Sequence, residues 1–421
     1  MKLAIGPTFP EIRPGRPRLV NIRRSRVEKP KCTRPLIPAI CIDIFRKVPM
    51  AESIYSPGLE GVIAGETAIS TVDGGLRYRG YSIEDLAEHA TFEEVAYLLL
   101  HGELPSSPQL AAFSQRLGAS ASIPPAMVEF LAKIPKGVAM MDVMRTGASA
   151  LAHWDPDTPD GSHAANLRKA EHLLAQLPVV MAARYRLAHG NKPVGYDPEL
   201  SLAGNILWML FEKKPTERLS KAMDVSLILY AEHEYNASTF AARVVSSTLS
   251  DMHSAITAAI GALKGPLHGG ANEAVMEVLK EVGTADKAEA WIRAAFAQKR
   301  RIMGFGHRVY KTGDPRAAYL RALCRELAVE TGHQDMEAMA DTIETIVVKE
   351  KSLPPNLDWP SARLYYYMGL DVDLYTPLFV VSRVTGWSAH VIEQLDNNRL
   401  IRPRARYTGP PLRKWASIER R

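Results

Sequence analysis

The chain has 421 residues, enough to bury a large core and divide into two domains, and its 46% hydrophobic and 23% charged content is ordinary for a soluble protein. No apolar run reaches the ~18 residues needed to span a bilayer. Cys32, Cys41 and Cys324 show no C-x-x-C spacing, which argues against a disulfide scaffold or zinc site and fits a reducing cytoplasm.

Residues 1–49 carry 12 Lys/Arg and 3 Asp/Glu, so the net charge of +6 leaves −3 for the rest of the chain. Their eight prolines exclude a helix, and they have neither the apolar region nor the cleavage site of a secretory signal. An Arg-biased transit peptide fits the proline content poorly. The leading expectation is that Met50 is the physiological start, because organised sequence begins just after it; next to it stands a disordered extension. A basic tail touching nucleic acid is the competing reading.

Thr67–Val72 alternates, Asp73-Gly74-Gly75 turns, and Leu76–Tyr78 alternates again, which predicts one small hairpin. Ser82, followed by Glu84 and Asp85, caps a helical segment. Further helices are expected near 108–118, 137–152, 163–189, 201–211, 216–231, 238–262, 271–281, 286–300, 314–331, 333–351, 361–370 and 376–396. Gly and Pro punctuate many of them. The fold class is all-α, with almost no strand. There is no Walker loop, no third glycine to make Gly304-Phe-Gly306 a dinucleotide fingerprint, no zincin motif at His233-Glu234 and no G-x-S-x-G elbow.

Three stretches carry the chemistry: Gly265-Pro-Leu-His268-Gly-Gly-Ala-Asn272, Gly304-Phe-Gly306-His307-Arg308-Val-Tyr310 and Pro355-Asn356-Leu357-Asp358-Trp359. His268 stands just before a helical run, where the positive helix end disfavours imidazolium; a neutral ring can donate to an enolate-type oxygen. Gly269 and Gly270 let the backbone approach a ligand. His307 ends a Gly-rich loop, and Arg316 falls in the first turn of a helix capped by Asp314. Asp358 precedes an aromatic helix, and apolar surroundings raise a carboxylate's pKa as a general base requires; an ordinary N-cap is the alternative. Arg383 lies on an apolar helix and needs an anionic partner. Arg402 falls in a C-terminal loop, as a ligand contact or as part of a solvated basic tail. His233 is either a polar ligand contact or a core histidine. Proton-transfer groups beside bidentate carboxylate binders suggest carbon-acid chemistry on a small polycarboxylate.

Taken in order, these stretches resemble the citrate synthase family, which includes 2-methylcitrate synthases. Gly61-Val-Ile-Ala-Gly-Glu-Thr, Leu100-His-Gly-Glu-Leu-Pro, Ala231-Glu-His-Glu, Gly386-Trp-Ser-Ala-His and Arg399-Leu-Ile-Arg-Pro-Arg also match, over about residues 56–415. The resemblance implies a helical homodimer: a large domain over 50–268, a small domain over 269–372, and a return to the large domain with a C-terminal arm over 373–421. It implies that Asp358 abstracts a proton from acetyl-CoA, His268 stabilises the enol and His307 protonates the oxaloacetate ketone. His233, Arg316 and Arg383 would hold oxaloacetate, with Arg402 reaching in from the partner subunit. Ile302, Met303 and Gly304 would contact the CoA adenine, and Lys311 a phosphate. The condensed thioester is then hydrolysed to citrate and CoA. No metal and no cofactor beyond the CoA substrate, no nucleic acid and no membrane are expected.

Many family members carry Asn-Val-Asp followed by Phe or Tyr, where this chain has Asn356-Leu357-Asp358-Trp359. That run resembles some methylcitrate synthases, so propionyl-CoA use, alone or with acetyl-CoA, is the alternative; one added methylene is worth only about 1–3 kcal/mol. A non-catalytic helical relative acting through residues 1–49 is the reading from another class. It would be expected to have lost one of His268, His307 and Asp358, and all three are present.

Overall fold

The computed structural model describes Tyr55–Arg421 except Arg308, Lys311 and Thr312, so the readings of residues 1–49 lie outside the described residues. The chain divides into two units, one ending at Val62 and one running from Ile63 to Arg421. In the first, Pro57–Leu59 forms a 3-10 turn, and the Ser56 hydroxyl donates to the Glu60 carbonyl at 2.5 Å.

The second unit opens with three short antiparallel strands, β1 (Ser70–Thr71), β2 (Arg77–Tyr78) and β3 (Tyr81–Ser82), paired in that order. The expected hairpin is present, and β3 follows it after a second tight turn. Sixteen α-helices follow among the described residues. They are α1 (Ile83–His89), α2 (Phe92–His101), α3 (Ser107–Ser120), α4 (Pro125–Lys133), α5 (Met140–Leu151), α6 (His163–Ala188), α7 (Leu202–Phe211) and α8 (Glu217–Tyr230), then α9 (Ala237–Ser246), α10 (Met252–Leu263), α11 (Ala271–Val282), α12 (Ala285–Ala297), α13 (Pro315–Thr331), α14 (Gln334–Lys351), α15 (Asp358–Tyr367) and α16 (Tyr375–Asp396).

Ser82 caps α1 as expected, its side chain accepting from the Asp85 amide. The expected helix over 238–262 is two helices, α9 and α10, because Asp251 caps a new start by accepting from the Ser254 amide at 2.9 Å. Helix α4 was not anticipated; Pro124 precedes it and Pro125 opens it, a position where a missing N–H does no harm.

Helix α16 organises the core. Nineteen of its 22 residues are buried, and it packs against α6, α9, α10, α2 and α8. A helix buried on nearly every side belongs inside a large core. Helices α11 to α15 pack largely on one another, with α15 against α13 and α11, and α12 against α14. Among the described residues no helix is long and apolar enough to cross a membrane.

Candidate active site

Most of the predicted residues come from segment ends. His233 lies between α8 and α9, His268 between α10 and α11, His307 in the loop before α13, and Asp358 at the first position of α15. Arg316 is in the first turn of α13 and Arg383 in the middle of α16.

Two of these loops are stitched together. The Asn356 amide donates to the Gly304 carbonyl and the Gly306 amide to the Pro354 carbonyl, at 2.9 and 2.8 Å. Phe305 pairs with Pro355 as an isolated antiparallel bridge. The Asn356 side chain donates to the Gly306 carbonyl at 2.9 Å and accepts from the Asp358 amide at 3.0 Å. The loop carrying His307 is thereby fixed to the one carrying Asp358.

His307 accepts from the amides of Val309 and Tyr310 at Nδ1, at 3.1 and 3.2 Å. Its neutral form therefore holds the proton on Nε2. The ring stacks on Tyr310 at 4.7 Å and lies 5.3 Å from the ring of His233. Nε2 of His233 meets the Tyr310 hydroxyl at 3.0 Å. Burial, then the charges of Arg316, Arg383 and His307, holds the His233 pKa well below its usual value, so the ring is neutral.

His268 presents a complementary tautomer. Its Nε2 faces the Ser238 amide at 3.3 Å and hydroxyl at 2.8 Å. An amide N–H can only donate, so Nε2 accepts and Nδ1 carries the proton. Burial, then Arg383, lowers its pKa to about 4. The sequence argument rested on the end of α11; desolvation is the larger cause. Gly269 also has a different reason from the expected one: a Cβ there would lie 2.3 Å from the Leu263 carbonyl, so the close approach is to the end of α10 rather than to a ligand.

Asp358 does not cap α15; Leu357 occupies the cap position without a side-chain bond. Its Oδ1 accepts from the Tyr230 hydroxyl at 2.8 Å. Burial raises its pKa to about 6, against the lowering effects of Tyr230 and Arg316. The Phe379 ring joins the two halves of the site: it lies 4.5 Å from the Tyr230 ring, 6.4 Å from that of His268 and 4.6 Å from the Arg383 guanidinium.

The arginines differ from one another. Arg316 is forked onto Asp314, Nε to Oδ1 at 2.9 Å and Nη2 to Oδ2 at 2.8 Å. Burial opposes its charge, but Asp314 keeps its pKa above the ordinary value. Arg383 is 2% exposed and forms no ion pair among the described residues; its Nε donates to the Tyr230 carbonyl at 2.5 Å. Burial lowers its pKa to about 10, with Glu232 the strongest opposing charge. Glu232 is itself held by Ser70 and His390, at 3.0 Å each. Arg402 is exposed on the segment after α16, with no hydrogen bond or ion pair among the described residues.

A cavity of about 600 Å³ opens beside His307, lined by Ile302, Phe305, Lys299, Arg301 and Lys351. Of the expected CoA contacts, Ile302 lines it; Met303 is half-buried and Gly304 buried, and neither is among its lining residues; Lys311 lies outside the described residues. Lys299, Arg301 and Lys351 were not anticipated, because isolated cations at helix ends read as solvated surface. Tyr230, Tyr310 and Asp314 were also passed over as site residues, although each lies within three residues of His233, His307 or Arg316. Among the described residues no cluster of three His, Cys, Asp or Glu side chains could hold a metal ion.

Comparison with known proteins gives these features a context. Residues 58–404 match the family model described as "Citrate synthase, C-terminal domain". The chain is 48% identical to "Citrate synthase 2" of Bacillus subtilis over 366 residues, 86% of this chain and 98% of that protein. It is 45% identical to the "2-methylcitrate synthase" of Shewanella oneidensis over 375 residues, 88% and 99% of the two chains. A solved citrate synthase of Thermoplasma acidophilum, in ternary complex with carboxymethyl coenzyme A and oxaloacetate, superposes with TM-score 0.82 at 36% identity, covering 87% of this chain and 99% of that one.

Proposed function

The chain belongs to the citrate synthase family of acyltransferases, and we propose that it condenses acetyl-CoA with oxaloacetate and hydrolyses the citryl-CoA formed to citrate and CoA. The observation that carries the residue assignments is one pairing. A carboxylate with its pKa raised to about 6 is held by Tyr230, and an imidazole lowered to about 4 belongs to His268; the Phe379 ring lies by the rings of both Tyr230 and His268 and beside Arg383, a buried cation with no ion-pair partner among the described residues.

Asp358 takes a proton from the α-carbon of the thioester. His268 donates Nδ1–H to the thioester oxygen as the enol forms. The enol carbon attacks the ketone carbon of oxaloacetate, the enol O–H returns its proton to Nδ1 of His268 as the thioester carbonyl re-forms, and Nε2–H of His307 supplies the proton to the ketone oxygen. Water then adds to the thioester and CoA leaves as the thiol. Arg383 and Arg316 bind the two carboxylates, with His233 beside the ketone. The cavity beside His307 takes CoA: Ile302 meets the adenine, while Lys299, Arg301 and Lys351 supply charge for its phosphates. No further cofactor enters this scheme.

The working form is a cytoplasmic homodimer, each protomer with a large domain over 50–268 and 373–421 and a small domain over 269–372. Arg402 completes the partner's site. In support, the segment after α16 exposes Leu400, Tyr407, Leu412, Trp415 and Ile418, the apolar surface a second copy would cover.

A second reading, propionyl-CoA as acyl donor, is consistent with the similar identity to relatives of both names. The Leu357-Asp358-Trp359 run adds little to it. Trp359 is fully buried, 4.6 Å from the Phe305 ring and beneath the Arg363 guanidinium, so it packs the core of α11–α15. Thiol release measured with each acyl-CoA, with and without oxaloacetate, tests both readings. Oxaloacetate-dependent release from acetyl-CoA is expected; release from propionyl-CoA alone would favour the second, and release from neither would overturn both.

A further inference from the structure

Tyr230 ends α8, and its side chain crosses to α15. Its hydroxyl lies 2.8 Å from Asp358 Oδ1 and 2.8 Å from Ser361 Oγ. A phenol has one proton, and the carboxylate can only accept. The proton therefore goes to Asp358, and Ser361 donates to the phenol oxygen at 2.8 Å, the shorter of its two contacts, the other being the Asp358 carbonyl at 3.3 Å. Burial, then the Asp358 charge, holds the Tyr230 pKa well above its usual value, so the donor stays protonated. Oδ2 of Asp358 has no hydrogen-bond partner among the described residues.

We infer that Tyr230 is a positioning residue: its phenol holds one oxygen of Asp358, turns the carboxylate, and leaves Oδ2 as the atom that receives the substrate proton. This inference rests on the reading of Asp358 as the base. Its geometry is that of a second group orienting a reactive one, with Ser361 fixing the phenol in turn. Only the side chain of Tyr230 takes part, because its carbonyl is engaged by Arg383 Nε and any substitution keeps that bond.

The groups acting on Asp358 can be named. Tyr230 faces it from α8, Arg316 and Asp314 from the start of α13, and Arg383 from α16; on α15 itself Tyr365 senses its charge. Tyr230, Arg316 and Arg383 lower its pKa, and Asp314 raises it. Removing the phenol proton donor raises it further, so the base ionises at higher pH.

Helices α8 and α15 provide their own control. One turn before Tyr230, Ser226 meets the Tyr365 hydroxyl at 2.6 Å, a bridge between the same two helices that does not touch Asp358. Tyr365→Phe removes a buried hydroxyl of the same kind without removing the donor to the base.

The test is the pH dependence of kcat in the full chain, with the better acyl-CoA and saturating oxaloacetate. Tyr230→Phe is expected to lower kcat about tenfold, to leave the oxaloacetate KM within about twofold, and to move the acidic limb up by about one pH unit. Ser361→Ala should move it the same way by less, and Tyr365→Phe should leave it in place. An unmoved limb in Tyr230→Phe, with Asp358→Asn inactive, overturns this inference and spares the assignment of the base. A limb moved as far by Tyr365→Phe reduces Tyr230 to a structural bridge and also overturns it. Near-normal turnover in Asp358→Asn removes the base and this inference together.

Discussion

The arginine of α16 and the arginine of the C-terminal arm are expected at one site, and the structure places them in opposite environments. Arg383 is buried among Phe379, Tyr230 and Glu232, with no ion pair among the described residues. Arg402 stands in water on a segment whose apolar side chains are also exposed, Leu412 and Trp415 among them. A buried cation demands an anion, because desolvation without a partner is expensive. An exposed one demands nothing and acquires a role only from whatever approaches it. One region is built as a binding wall would be; the other is exposed surface. The two therefore make different predictions.

The largest effect is expected at the wall. Asp358→Asn removes the base and should lower kcat by roughly three orders of magnitude or more, with oxaloacetate affinity largely kept. Steady-state kinetics with direct oxaloacetate titration measure both. Near-normal turnover in the folded variant would exclude Asp358 as the base.

The arm is tested by complementation. Arg402→Ala and His268→Ala proteins should each be inactive alone. If Arg402 serves the neighbouring site, each mixed dimer has one site with both residues intact, and equal mixing should restore about a quarter of wild-type activity. No recovery after confirmed subunit exchange would assign Arg402 to its own subunit's site or to neither, and the comparison would lose its second half.

The contrast sharpens with Arg383→Lys, which keeps the charge and loses the fork. The oxaloacetate KM should rise roughly tenfold to a hundredfold, and the acyl-CoA KM much less. Equal increases in both would mean that Arg383 shapes the cleft rather than binding a carboxylate.

Much of the site was legible in the chain because reactive side chains sat in Gly- and Pro-rich breaks between helices. His268, His307 and Asp358 announce themselves in that way. Tyr230 does not: it lies in the apolar run of α8, where a tyrosine reads as core, and its partner is 128 positions away. Asp314 read as a helix cap, and it is one, since it accepts from the Arg316 amide at 3.1 Å. Its second job, the fork to Arg316, depends on a side-chain direction that spacing does not encode. The fold shows the same division. Ser82 marked a helix start correctly, whereas the break between α9 and α10 was missed, although it runs through the polar stretch Ser246-Ser247-Thr248-Leu249-Ser250-Asp251 and Asp251 was available as its signal.

The acidic limb of activity follows from the same wall. As the proposed base, Asp358 would have to be ionised to accept a proton, and burial raises its pKa to about 6. Below that pH the protonated fraction grows, so kcat/KM for the acyl-CoA should fall about tenfold per pH unit. A limb near the ordinary carboxylate range of about 4 would mean that the site is wetter than its packing indicates.

The smallest effect on chemistry, and the most local, is expected at Gly304. Its φ of 84° lies in the left-handed region, and an added Cβ would sit 2.7 Å from Val275 Cγ2 and 3.0 Å from the Trp359 ring. Neither neighbour can retreat, since Val275 and Trp359 are both fully buried. Gly304→Ala should therefore destabilise the protein by about 1–3 kcal/mol through backbone strain and overpacking. The strained segment is the one whose carbonyl accepts from Asn356 and whose continuation carries His307. Activity should fall through His307 and the CoA cavity, as a rise in the acyl-CoA KM larger than that for oxaloacetate, while the acidic limb set by Asp358 stays in place. Thermal unfolding and the two KM values check this together. An unchanged melting temperature would show that the loop relaxes freely and that its bridge to residues 354–356 does not hold His307 in position.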